Sequence, residues 1–183
     1  SDQVSYPWFA PAGTRRGGVT NATATGYVNA EGEFVSVALN EGQRDTLYQN
    51  NVNPITFLNG AGLVVFGQKT RARNASALDR VNVARLTVYL RSQLKKLAKP
   101  YIFEPNDKIT RDEIKQQVES LMVELIGLRA IYDYLVVCDD TNNTPNRIDR
   151  NELYVDIAIE PVKAVEFIYI PLRLKNTGEI AGL

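Results

Sequence analysis

Two stretches of the chain repeat their apolar residues with the period of a helix. Val83, Leu86, Leu90, Leu94 and Leu97 follow one another at steps of 3, 4, 4 and 3, which places them on one face of a helix that Asp79 is positioned to cap. The remaining faces carry Arg80, Arg85, Arg91, Lys95, Lys96 and Lys99, and Pro100 ends the pattern. Tyr101 to Phe103 then reads as a short buried strand. Further on, Thr110 and Glu113 have the spacing of a capping box, and Ile114, Val118, Leu121, Met122, Leu125 and Leu128 follow at helical steps. These predict a second long helix over residues 111 to 130, its stripe packed on a sheet or on the first helix. Gly127 within it implies a close backbone approach.

The shorter runs have the period of strands. Residues 33 to 39 alternate weakly. Residues 55 to 58 and 63 to 66 are apolar and joined by Asn59-Gly60-Ala61-Gly62, which predicts a hairpin. Between these, residues 41 to 51 read as a short helix ended by Val52-Asn53-Pro54. Residues 132 to 138 form another strand, and 139 to 149 a polar loop. Residues 151 to 160 alternate, with Leu153, Val155, Ile157 and Ile159 on one face. After Pro161, the run Ala164 to Leu174 is apolar on both faces, with Val165, Phe167 and Tyr169 opposite Ile168, Ile170 and Leu172. A free edge of that kind invites aggregation, so this segment needs a partner. The lead-in over residues 1 to 32 reads as an extended loop pinned by Trp8 and Phe9, whose simplest role is to plug one end of the core.

Composition narrows the function. The 183 residues are 44% apolar, enough for one domain with a core. The 21 basic residues equal the 21 acidic ones, so any electrostatic role must come from segregation: between Lys69 and Lys99 the only acidic residue is Asp79. With no histidine and the single Cys138, the commonest general base and multi-cysteine metal patterns are excluded. No catalytic, cofactor or metal site is expected. No apolar run reaches the roughly 18 residues of a membrane span. The start at Ser1-Asp2 and the single Met122 suggest a fragment of a longer protein.

Three stretches invite chemistry that their context denies. Gly62 to Thr70 comes near a phosphate-binding loop, but the residues between its glycines are large and apolar, as in a buried strand. Arg15 and Arg16 before Gly17-Gly18 read as a solvated turn. Asp139, Asp140 and Asp149 lack the glycine and terminal glutamate of a calcium loop, so turns closed by Asx side chains explain them better.

Several blocks in order resemble the sheath proteins of contractile phage tails and related injection machines. They are Trp8 with Pro11-Ala12-Gly13 and Arg16-Gly17, Asn53-Pro54, Phe66-Gly67 with Lys69-Thr70, and Asp79-Arg80-Val81-Asn82-Val83-Ala84-Arg85-Leu86. Then come Phe103-Glu104-Pro105-Asn106, Cys138-Asp139 with Thr141-Asn142-Asn143-Thr144-Pro145, Ile148-Asp149-Arg150-Asn151-Glu152, and Glu160-Pro161. The resemblance is to the C-terminal, inner domain of a large-myophage sheath subunit. It implies an α/β (α+β) domain, with a mixed β-sheet packed by two long amphipathic helices and a C-terminal β-arm that augments a neighbour's sheet.

The implied division is an inner domain over residues 1 to 163 and an arm over 164 to 183. Arm residues are Val165, Glu166, Phe167, Ile168, Tyr169, Ile170 and Leu172; candidates for contact with the tail tube are Arg91, Lys95, Lys96, Lys99, Arg111 and Lys115. The implied partners are further copies in a helical, six-fold sheath, the tail tube protein, and the baseplate and tail terminator at the ends. The implied location is the virion, after assembly in the host cytoplasm, with no membrane and no direct nucleic-acid contact. The sheath of a phage-tail-like injection system is an alternative, and a nucleic-acid-binding domain using the basic helix is a more distant one.

Overall fold

Side chains from two helices and one strand meet in a single cluster at the centre of the molecule. The computed structural model describes residues 5–72, 74 and 76–171. In chain order the elements are β1 (Gly26–Val28), β2 (Phe34–Ser36), α1 (Glu41–Gln49), β3 (Ile55–Leu58), β4 (Gly62–Val65), α2 (Val81–Ala98), α3 (Lys108–Gly127), β5 (Ile131–Val137), α4 (Pro145–Asp149) and β6 (Asp156–Pro161). Leu86 and Leu90 of α2, Ile114, Val118, Met122 and Leu125 of α3, and Ile131 and Val136 of β5 form the core, closed by Trp8 and Ala130. Leu153, Val155, Ile157 and Ile159 pack against it, as their alternation predicts. Trp8 plugs the core: its indole N–H donates to the Leu128 carbonyl at 3.0 Å, and its ring meets Tyr89 edge-on.

The single mixed sheet is not what forms. Among the described residues the strands make three separate antiparallel pairs: β1 with β2, β3 with β4, and β5 with β6. The β3–β4 hairpin falls where the turn glycines predict it, pairing Ile55 with Val65 and Leu58 with Gly62. The lead-in segment lies along β4, through a bridge from Gly18 to Val64 and hydrogen bonds from the Gly13 amide to the Val65 carbonyl and from the Val19 amide to the Leu63 carbonyl. A side chain at Gly17 would come within 2.7 Å of the Val65 carbonyl oxygen, so this approach requires glycine. β1 lies in what reads as loop, because its Gly-Tyr-Val is too short to show a period.

Helix starts are displaced from their sequence signals. Asp79 ends a 3-10 turn (Ala77–Asp79) capped by Ser76, and α2 begins behind Arg80 with no side-chain cap. For α3 the cap is Asp107, whose carboxylate accepts from the Thr110 amide at 2.9 Å; Thr110 is already helical, one turn in. Residues 101–103 are not a buried strand. Pro100 opens a second 3-10 turn (Lys99–Tyr101), and the chain then leaves Phe103 at φ 79 and 101% exposed. Gly127 closes α3, and a side chain there would meet open space, not neighbouring backbone. The loop after β5 contains α4, and it does use an Asx turn: Asp139 accepts from the Thr141 amide at 2.9 Å.

Because Met122 is fully buried and Phe103 fully exposed, their truncations should differ sharply in a urea-unfolding series. Met122→Ala is expected to cost about 2–5 kcal/mol, and Phe103→Ala less than about 0.5 kcal/mol. A comparable loss for Phe103→Ala would restore the buried-strand reading.

Candidate functional site

A polar site joins distant parts of the chain at the point where the C-terminal segment leaves the body. It begins at the end of β6, where the Val162 amide donates to the Ala130 carbonyl and Asn82 Nδ2 donates to the Val162 carbonyl at 3.2 Å. Four residues later Glu166 turns back onto the body. Its carboxylate receives Arg80 Nε at 2.5 Å, Arg80 Nη2 at 3.0 Å and Gln68 Nε2 at 3.4 Å. Arg80 and Asn82 stand at the start of α2, Tyr48 is on α1, and Gln68 follows β4. The seat is braced in turn: the Val81 amide donates to the Gln68 carbonyl, and the Thr70 amide to the Asp79 carbonyl.

Electrostatics favour an ionised Glu166. Burial alone would raise its pKa, but the hydrogen bonds from Arg80 and Tyr48 and the Arg80 charge outweigh it and hold the carboxyl below the usual glutamate range. Burial, then the hydrogen bond to Glu166, pushes the Tyr48 phenol up to about 12. Next to the clamp, a cleft of about 240 Å³ is lined by Glu41, Arg44, Tyr48, Phe66 and Phe167, among others.

On either side of Glu166 the chain changes character. Val165, Phe167, Ile168, Tyr169 and Ile170 are all exposed, and residues 162–171 pair with no strand among the described residues. Leu172 lies outside the described residues. β1–β2 presents a second exposed apolar surface through Tyr27, Val28 and Phe34.

The basic candidates divide. Arg91, Lys95, Lys96 and Lys99 are exposed near the C-terminal end of α2, and among the described residues none forms an ion pair. Lys95 and Lys96 also sit in the last turn, where positive charge favours the helix dipole. Lys115 is half-buried and 4.0 Å from Glu119. Arg111 is not a surface residue: its side chain is 8% exposed, at 2.7 Å from Asp140 and within reach of the Asn106 carbonyl. That corrects the expectation that it faces outward, since a helical arginine beside a buried stripe can turn inward when loop carbonyls and a carboxylate receive it.

Sequence reasoning missed Glu166 as an anchor. The available signal was a lone carboxylate inside an apolar run, with an arginine in the distant Asp79-Arg80-Val81-Asn82 block to receive it. It also missed how the Asn142-Asn143 pair works. These side chains bind the Tyr154 backbone, Asn143 Oδ1 accepting its amide at 2.7 Å and Asn143 Nδ2 donating to its carbonyl at 2.9 Å. Other quoted motif residues are joints of the same kind: Asn53 pairs with both backbone groups of Lys69, and Asn106 donates to the Glu152 carbonyl.

Residues 74–175 match the family model described as the phage tail sheath C-terminal domain. The tail sheath protein of Vibrio phage KVP40 is 39% identical, over 100% of this chain and 26% of its own length. That of Enterobacteria phage T4 is 35% identical, over 100% and 27%. The chain thus spans about a quarter of the length of these curated relatives. A chain of the 6-fold symmetrised anti-feeding prophage baseplate superposes with a TM-score of 0.79 at 22% identity, over 96% of this chain and 47% of that one. The sheath complex of an extracellular contractile injection system, PVC, in its contracted state gives 0.75 at 19%, over 92% and 46%. At these identities the likeness to solved structures is one of fold.

Glu166→Gln should destabilise the chain by about 1–3 kcal/mol at neutral pH, since the Arg80 guanidinium loses its bidentate partner and keeps only Asp79, at 3.4 Å, as a counter-charge. The folded pKa of Glu166 is depressed, so its contribution is fully present above the ordinary value of 4.5 and is lost as pH falls through the lower folded value. Denaturation curves of the two proteins should therefore converge in acid. A constant gap down to acid pH would contradict the assignment.

Proposed function

The chain belongs to the phage tail sheath family, matched in its C-terminal domain, and from that premise we propose that it is the inner domain of a contractile sheath subunit. In this reading the subunit polymerises helically around a tail tube and contracts to drive the tube through the host envelope during genome ejection. The observation that carries it is the exposed, two-faced apolar run after Glu166, which has no strand partner among the described residues. Residues 1–163 act as the body and 164–183 as an arm whose strand joins the sheet of a neighbouring copy, with backbone hydrogen bonds giving the joint its strength. A head-to-tail contact that does not close on itself generates a helix of subunits, here six-fold. The β1–β2 hairpin is the candidate acceptor, because both its strands are short, exposed edges that carry Tyr27, Val28 and Phe34 outward.

Arg91, Lys95, Lys96, Lys99 and Lys115 are the proposed tube contact. Surface ion pairs are individually weak, which suits a contact that must break on contraction. Solvated charge serving the helix terminus is the competing account. The baseplate and tail terminator would bound the polymer, and the mature location would be the virion, after assembly in the host cytoplasm. The role needs no catalytic centre or cofactor. A sheath in a phage-tail-like injection system fits equally, and the contracted PVC sheath complex among the structural neighbours favours keeping that reading.

Removing residues 167–183 in the full-length background should leave a folded subunit that forms no long sheaths by electron microscopy; normal sheaths would refute the arm. Reversing Arg91, Lys95 and Lys96 to glutamate should abolish co-sedimentation with tubes while sheaths still self-assemble. If tube binding is unchanged, the contact lies on another face.

A further inference from the structure

The clamp around Glu166 does more than cover a charge. Its anchors lie four residues apart on the chain, Asn82 on the Val162 carbonyl and Arg80 on the Glu166 carboxylate, and both come from the first residues of α2. Glu166 is only half-buried in overall surface, yet its side chain is 17% exposed, while Val165 and Phe167 on either side are 77% and 70% exposed. The one charged residue between Ala164 and Pro171 is thus the one that is held. Two further atoms point the same way. Gln68 and Asn82 each direct their amide donor at the segment, and Gln68 Oε1 and Asn82 Oδ1 are left buried with no partner among the described residues. Leaving a buried acceptor unpaired is unfavourable, so these amides are oriented by what they donate to.

We propose that Glu166 is the pivot of the arm: the Arg80, Gln68 and Asn82 side chains fasten the chain to the body up to residue 166, so that the swinging strand begins at Phe167 and not at Ala164. This rests on the reading of the segment as an inter-subunit arm, but the clamp itself is a property of the single chain. Bidentate donation from a planar guanidinium fixes direction as well as position, which a lysine at residue 80 would not do. Release of the pivot would free residues 163–166 and lengthen the tether by at most roughly 13 Å, at about 3.3 Å per extended residue. The pivot would therefore set how far a neighbouring copy can travel before its strand is pulled taut.

The test uses nitroxide labels on the full chain before any assembly, at Ala164→Cys and, separately, at Ile168→Cys. Cys138 is buried, and the chain without an added cysteine measures its background labelling. The label at 164 should tumble several-fold more slowly than the label at 168, and Glu166→Gln or Arg80→Met should bring it to the rate seen at 168. The exchange Arg80→Glu with Glu166→Arg should restore slow tumbling at least in part, and thermal melts of each variant establish that the body stays folded. Equal mobility at 164 and 168 in the parent chain, or a slow label at 164 that neither single substitution releases, overturns the proposal. Neither outcome bears on whether the strand joins a neighbour, which the truncation after residue 166 decides separately.

Discussion

No sheet in the described chain has an interior strand. Two-stranded hairpins are marginal in water on their own, so each of the three must be fastened to something else. Only β5–β6 lies directly on the core formed with α2 and α3. The remaining connections combine backbone hydrogen bonds, as from Val19 to Leu63 and from Val81 to Gln68, with single polar side chains that reach across the sequence: Asn53 to Lys69, Asn106 to Glu152, Asn143 to Tyr154, Asn82 to Val162, and Arg80 to Glu166. The reaching side chains other than Glu166, namely those of Asn53, Arg80, Asn82, Asn106 and Asn143, fall in the blocks that carry the family likeness. The motifs are therefore joints between small units, which explains why they are rich in Asn and Arg.

The helix pair was legible because burial imposes a period of 3.6 over many turns, and the β3–β4 hairpin because two glycines with positive φ mark its turn. What failed was local. Thr110 and Asp107 both have the chemistry of a cap, and the choice went to Asp107 by a single hydrogen bond. The apolar Tyr101-Ile102-Phe103 looked like strand because it is short, and a run of three cannot separate strand from a turn that throws its side chains outward. The mixed sheet is what the family resemblance implies, and nothing in a sequence of short strands distinguishes one sheet from three pairs.

The candidate site shows the same division. That the last run is apolar on both faces was readable directly, while its anchoring was not, because Glu166 and Arg80 are 86 residues apart and each alone looks like a solvated charge. Arg111 erred in the opposite sense: its charge argued for the surface, and the loop that buries it has no periodic signature. Charged residues in this chain thus fall into structural joints and open cations, a distinction that depends on burial and is invisible in composition.

That distinction makes ionic strength a selective instrument. At physiological salt the screening length is about 8 Å, and it falls to about 3 Å at 1 M. The row from Arg91 to Lys99 stands in solvent, so its attraction for any acidic surface weakens steeply as salt rises. Arg80 and Glu166 touch within a half-buried seat, and mobile ions cannot enter between them. A rise in salt would therefore loosen any acidic surface held by the C-terminal half of α2 while leaving the Arg80–Glu166 pair in place.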